Sequence, residues 1–470
     1  MKNVKLISLF VATLASFLTP FMSSAINIAL PSIASEFRAD AILLSWVATA
    51  YLLSAAMFLV PFGKIADIKG RKRVFVVGIL IFTITSFMSI FSPILEILVI
   101  FRAFQGLGGA MIFGTSVAIL TSVFPPEEKG KVLGINVAAT YIGLSSGPFL
   151  GGLLTQYFGW RSIFLFTVLI GFGTIVLTLW QLKGEWAEAK EERFDILGSV
   201  IYILMLVALL YGISSFEPSN YLIVLPLIGF ALLCFVLFLI WESRIEFPVF
   251  EIKLFRHNRV FAFSNLVALL HYSATFAISF LLSLYLQYTK NLSPQDAGLI
   301  LVAQPVMMAL FSPLAGWISD RIEPRIVVSV GMTITSLGLA FLSLIDELTP
   351  LILMILTLMF LGFGYALFSS PNTNAVMSSV ERKYFGIASA TIGTMRLMGQ
   401  VLSMALVMLI FSLFIGRIEI TSEVSSLLVV STKICFAIFS GLCFVAIFAS
   451  LVRGNVKNKI LVAWSYNNKY

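Results

Sequence analysis

Charge is what this chain lacks most. Asp, Glu, Lys and Arg make up only 11% of its 470 residues, where a soluble domain carries about 25%. With 59% hydrophobic residues and 43 phenylalanines beside that scarcity, a secreted domain, a nucleic-acid binder and a soluble enzyme are excluded. Histidine is almost missing too: His257 and His271 are the only two, which leaves little room for a metal site built on imidazole. The three cysteines, Cys234, Cys435 and Cys443, lie inside apolar runs and show neither a metal spacing nor a disulfide framework. They read as small buried hydrophobes. The net charge of +8 does not imply nucleic acid, because excess Lys and Arg in such a chain first means cytoplasmic loops.

What is present is length of apolar sequence. Fourteen stretches reach the roughly 20 residues needed to cross a bilayer, from 6–33 and 41–62 through to 387–416 and 431–452. Helices are the expected form, since each backbone N–H and C=O in hydrocarbon needs an internal partner and no ten-residue alternating strands appear. With both termini placed inside, 24 of the 31 Lys and Arg fall in cytoplasmic segments and five (Arg38, Arg161, Lys290, Arg417, Lys433) outside. That asymmetry orients the chain. The first run could be taken for a signal peptide ending at Ser23-Ser24-Ala25, but it is long for one, and its polar stripe continues to Asn27.

An internal repeat is legible from spacing. Asp67 and Gly78 are 11 residues apart, as are Asp320 and Gly331, each Asp preceded four residues earlier by a glycine, Gly63 or Gly316. The gaps of 24 and 13 in Gly106, Gly130 and Gly143 return in Gly362, Gly386 and Gly399. Chance matching of common membrane glycines is a poor explanation for so many in the same order. Two parallel six-helix halves are therefore expected, over 1–182 and 260–452. Between them, 183–259 would be a linker carrying an inserted pair, spans seven and eight, and 453–470 a cytoplasmic tail.

The loop after span two reads Gly63-Lys-Ile-Ala-Asp67-Ile-Lys-Gly70-Arg71-Lys72-Arg73, and a simple positive-inside loop would not need its Gly/Asp/Gly pattern. Gly63 suggests close helix approach and Asp67 a partner for a helix N-terminus or an Arg. Span four carries Arg102-Ala-Phe-Gln105-Gly106, and span five Gly143-Leu-Ser-Ser-Gly147-Pro148-Phe-Leu-Gly151-Gly152, with Trp160-Arg161 opening span six. Together these resemble the signature loop, the Arg motif and the antiporter motif of the major facilitator superfamily. The 6+2+6 layout, Asn27-Ile-Ala-Leu-Pro31 and Pro371-Asn372-Thr-Asn374 are similar to its fourteen-helix drug:proton antiporter family. The resemblance covers essentially the whole chain. It implies an all-α major-facilitator-like fold and secondary transport by alternating access, with the halves rocking about a central cavity. It assigns Gly63, Asp67, Gly70, Arg71, Asp320 and Arg321 to a cytoplasmic latch. Gly143, Gly147, Pro148 and Gly151 would form the tightly packed seam associated with antiport.

The departure lies five residues before Asn27. Multidrug members of that family usually carry Asp there, and here the residue is Met22; all 23 acidic residues fall in loops or at span ends. Residues three or four apart share a helix face, which gives stripes through Asn27, through Arg102 and Gln105, through Asn136 and Gly143, and through Arg396 and Gln400. Polar groups cost too much against lipid to lie there, so the stripes should face the bundle interior or water. For small and hydroxyl residues inter-helix glue is an equal reading. For Arg102 and Arg396 function is favoured, because a membrane charge costs about 2.5–3.5 kcal/mol or more. With no buried carboxylate as counter-charge, such a cavity should favour neutral or anionic amphiphiles over permanent cations. His271, mid-way along span nine, reads first as a neutral hydrogen-bonded side chain and second as a proton carrier.

A membrane-embedded enzyme would need a clustered acid/base pair or nucleophile, and a primary pump a nucleotide site; neither is seen, and a non-transporting sensor would have little use for the span-five motif. The expectation is a proton-driven exporter of small amphipathic compounds, without cofactor, metal, nucleotide or nucleic acid, monomeric, and multi-pass in the cell membrane. Transport of a specific neutral or anionic metabolite is the alternative.

Overall fold

A computed structural model describes residues 2–182, 184–187, 189, 191–214, 221–381, 384–416, 418–419 and 424–454. Arg417 and the tail beyond Gly454 lie outside the described residues. The described chain is helical throughout, without a strand. In order, the helices are α1 (Lys2–Phe37), α2 (Ala41–Lys69), α3 (Arg71–Ile90), α4 (Leu95–Val123), α5 (Pro126–Phe158), α6 (Arg161–Gln181), α7 (Ile196–Ser214) and α8 (Tyr221–Glu242). There follow α9 (Ile252–His257), α10 (Arg259–Thr275), α11 (Ile278–Leu284), a π-helical turn (Tyr285–Thr289), α12 (Pro294–Leu301) and α13 (Ala303–Arg321). The last four are α14 (Pro324–Leu342), α15 (Leu351–Ser378), α16 (Phe385–Phe414) and α17 (Ser425–Val452). Joining α10, α11 and the π turn into one span, and α12 with α13 into another, gives 14 spans among the described residues, the number expected.

Local chemistry sets the ends. Asp40 caps α2, its Oδ1 accepting from the amides of Ile42 (2.9 Å) and Leu43 (2.8 Å). One residue, Gly70, separates α2 from α3; its φ of +119° is open to glycine and strained for a side chain. Trp160-Arg161 proves to be a tie between helices. Arg161 grips Glu36 of α1 through both nitrogens (2.7 and 2.6 Å) and donates to the Ile90 carbonyl at the end of α3 (3.0 Å).

The chain forms two compact units. The first takes Met1–Phe250, Ala277–Val302 and Met404–Thr432; the second takes Glu251–Phe276, Ala303–Ser403 and the chain from Lys433 on. These units and the repeat halves are different divisions of the sequence, since spans nine, ten and thirteen are shared out between the units. In the first unit α1 lies along α5 and α4 is held between α2 and α3; in the second α15 packs on both α13 and α14.

The repeat reappears in these local contacts. A Cβ on Gly106 would strike the carbonyl oxygen of Tyr51 on α2, and one on Gly362 the carbonyl oxygen of Gln304 on α13. Gly143 is pressed in the same way on Phe17 of α1, and Gly399 on Leu269 of α10. Tyr51 and Gln304 are separated by the same number of residues as Asp67 and Asp320. Small residues let backbones touch where no hydrophobic force drives helices together in lipid. The matched glycines thus mark the same helix contact made twice. Gly63 differs: a side chain there would meet nothing within 4 Å, although a Cβ on Gly114 of α4 would lie 3.7 Å from its Cα.

Candidate functional site

The span-five motif builds a seam against α1. A Cβ on Gly147 would fall 2.6 Å from Cβ of Ser24, and one on Gly151 would fall 2.9 Å from Cα of Ala25. The Ser24 hydroxyl donates to the Leu144 carbonyl (3.1 Å), fastening the same face. Along the other edge of α5, Gly298 at the start of span ten is pressed on the Pro148 carbonyl, and Gly152 on that of Pro294 (2.6 Å to a built Cβ). Nearby, Gln287 Nε2 donates to the Ile28 carbonyl (3.0 Å) and the Tyr288 hydroxyl to that of Pro31 (3.4 Å). The Ala41 amide reaches the Ile418 carbonyl (3.3 Å). All these contacts belong to the first unit and close its end opposite the N-terminus.

Arg102 is fully buried. Its Nε donates to the Val47 carbonyl (3.0 Å), Nη1 bonds Gln105 Oε1, and the guanidinium lies 4.5 Å from the ring centroid of Tyr51. Gln105 passes the chain on to Ser86 Oγ (2.6 Å). Sequence brought Arg102 and Gln105 together correctly, but here they pin α4 to α2 and α3, and no free guanidinium is offered to solvent. Met22, where an acid was missed, is buried against Thr167, whose hydroxyl lies 3.5 Å from its sulfur. Asn27 and Asn136 are 3% and 4% exposed, and their Oδ1 atoms have no hydrogen-bond partner among the described residues.

The loop residues lie at the ends of α2 and α13 and the start of α3, and they reach across to α4 and α15. Arg71 donates through Nε to Asp67 (2.8 Å) and through Nη1 to the Ala118 carbonyl (3.2 Å) and Ser122 of α4. In the second unit Asp320 accepts from Asn374 of α15 (3.2 Å), and Arg321 stacks over Trp317 at 3.9 Å. Ala118 and Asn374 occupy equivalent repeat positions. The linker also joins the first loop. Trp186 accepts from the Arg71 amide (2.8 Å), Glu185 from the Lys72 amide (2.9 Å), and Glu192 pairs with Lys64.

In the second unit His271 is fully buried and stacked on Phe368 at 3.6 Å between centroids, with Tyr365 at 4.9 Å. Neither ring nitrogen has a hydrogen-bond partner among the described residues, so a hydrogen-bonded histidine is not what the structure contains. Asn372 donates to the Ser264 carbonyl (3.1 Å) and accepts from Arg453 (3.1 Å). Arg453, which the sequence places in the cytoplasmic tail, is fully buried at the end of α17. An Arg directly after an uninterrupted apolar span was the available signal. Arg396 and Gln400 are half-buried on α16, and Arg396 has a partner.

A family model described as Major Facilitator Superfamily matches residues 12–265 and 264–462. The chain belongs to this superfamily. It is 30% identical to the riboflavin transporter RibZ of Clostridioides difficile (strain 630), over 95% of this chain and 97% of that protein. It is also 30% identical to the multidrug resistance protein Stp of Mycobacterium tuberculosis (strain ATCC 25618 / H37Rv), over 86% and 75%. Among solved structures, a bacterial homolog to the human lysosomal transporter Spinster, inward-facing and unoccupied, superposes with a TM-score of 0.68 at 14% identity, covering 96% of this chain and 97% of that one. That likeness concerns the fold. As a member of the Major Facilitator Superfamily the chain is a transporter, not an enzyme.

Proposed function

We propose that this superfamily member is a secondary active exporter of small amphipathic compounds, driven by the proton gradient across the cell membrane, with both termini cytoplasmic. The observation that carries the reading is the α5 seam, in which Gly143, Gly147 and Gly151 bring α1 and α5 into backbone contact along three turns. A seam in which only small side chains such as Ser24 stand between the backbones can slide or bend with little repacking, as alternation of access requires. The multidrug relative supports export.

Neutral or anionic compounds are the favoured class, because the position of the absent acid is filled by a buried Met22. A second reading, transport of one planar metabolite, draws support from the riboflavin transporter among the relatives and from the ring group of His271, Tyr272, Tyr365 and Phe368. Accumulation of cationic, neutral and anionic amphiphiles, riboflavin included, should be compared in cells with and without the protein, with and without a protonophore. Protonophore-sensitive export of several neutral or anionic compounds is expected. Movement of riboflavin alone would favour the second reading, and robust export of quaternary ammonium dyes would overturn the charge preference.

A further inference from the structure

Only two carboxyl groups are buried among the described residues, Asp195 (5% exposed) and Glu242 (2%). Both belong to the inserted helix pair, at the start of α7 and the last residue of α8, and neither lies in the motifs discussed above. They converge over Gly198. A Cβ on Gly198 would collide with Asp195 Oδ2 and fall 2.5 Å from Glu242 Oε1, so the two oxygens crowd the space a side chain would take.

The donors around the pair are all N–H groups. Asp195 accepts from the Gly198 amide (2.9 Å) and from Trp241 Nε1 (3.1 and 3.0 Å); Glu242 Oε2 accepts from the Phe250 amide (2.9 Å), with the Val249 amide beside it. Glu242 Oε1, however, has no hydrogen-bond partner among the described residues if both groups are ionised. Asp195 Oδ2 stands beside it over Gly198. No cation among the described residues answers the two charges. Arg193 and Arg244, two residues away on either side, are exposed and pair with neither, and Lys64 of the neighbouring α2 is taken by Glu192. The Tyr202 hydroxyl on α7 is spent on the Ala56 carbonyl (3.0 Å). Two buried carboxylates this close cannot both stay ionised at acceptable cost. A resident metal ion would need more oxygen ligands and would meet N–H hydrogens instead.

We infer that Asp195 and Glu242 form a proton-binding site that holds one shared proton and fastens the linker through the amides of Val249 and Phe250. With the proton between Oδ2 of Asp195 and Oε1 of Glu242, every oxygen of the pair has a donor and one negative charge remains for the four N–H groups. Loss of that proton leaves two charges in a dry site, and the cheapest relief is to release the segment from 243 to 250 and admit water. The site is independent of any transported solute.

Infrared pH-difference spectra of the purified protein test this directly. A protonated-carboxyl C=O band present at neutral pH should vanish at alkaline pH, and Glu242→Gln and Asp195→Asn should each abolish it. Asp67→Asn, at a partly exposed carboxyl, should leave it in place. Absence of the band in the unmodified protein, or its persistence in both variants, would overturn the proposal. Hydrogen exchange of the 243–250 amides, corrected for the intrinsic rate, should quicken with rising pH in the unmodified protein. It should stay flat in Glu242→Gln, whose amide always supplies the N–H; equal pH responses would also overturn the idea.

Discussion

Gly147 and Arg102 show how differently two motif residues are committed. At Gly147 the constraint is steric: Ser24 Cβ and Oγ stand 2.6 and 2.9 Å from where a Cβ would be. Gly147→Leu should therefore cost about 1–3 kcal/mol of overpacking and abolish transport, while Leu144→Ala, which keeps the carbonyl that accepts from Ser24, should be mild. Thermal melting and solute flux on both variants check this, and equal tolerance would show that the contact of Gly147 with Ser24 is not what limits substitution. At Arg102 the constraint is polar. Arg102→Ala strands the Val47 carbonyl and Gln105 in a dry interface, each worth about 1–3 kcal/mol, and removes the stack on Tyr51. The expected result is loss of folded yield, with Arg102→Lys intermediate because a single ammonium cannot reproduce both bonds and the stack.

At the scale of elements, the loop between α2 and α3 is where stability and function should separate. The Asp67 side chain is 39% exposed, so its pair with Arg71 contributes little, about 0–1 kcal/mol. Asp67→Asn should melt within a few degrees of the unmodified protein yet transport poorly; collapse of expression would instead make it a folding residue. This loop also shows what could be read in advance. Span number, the glycine spacings and the close packing of α5 were legible because apolar length and backbone approach leave local marks in sequence, whereas α1 as the partner of that packing was not. Burial at span ends was not. Asp195, Glu242 and Arg453 stand where a polar residue normally meets the headgroups, and only tertiary packing turns them inward. Gly63, conversely, reads as a packing glycine, yet the place its own side chain would take is open. The docking of Glu185, Trp186 and Glu192 on the loop depends on non-local pairing that charge composition alone does not specify.

For the molecule as a whole, the decisive question is whether the closure at the end of the first unit opposite the N-terminus is one of two alternating states. Its parts suit reversibility. Gly298 meets the Pro148 carbonyl, Gly152 that of Pro294, and Gln287, Tyr288 and Ala41 each make a single bond to a backbone carbonyl. Each such bond contributes only about 0.5–1.5 kcal/mol net, and none of these contacts is an ion pair that would lock the end shut. Gly298→Ala drives a methyl group into the Pro148 carbonyl, a penalty of about 1–3 kcal/mol that falls on the closed arrangement alone. Since 1.4 kcal/mol is about tenfold in a population, the open form should rise by roughly one to two orders of magnitude. A cysteine at Gln287 reports it: labelling by a membrane-impermeant thiol reagent, from the side proposed to be external, should accelerate by a comparable factor in the Gly298→Ala background. Cys234, Cys435 and Cys443 are buried, so the background is low. An unchanged labelling rate, with the double variant folded and inserted, would mean that this contact gives way without opening and that the barrier to access lies elsewhere.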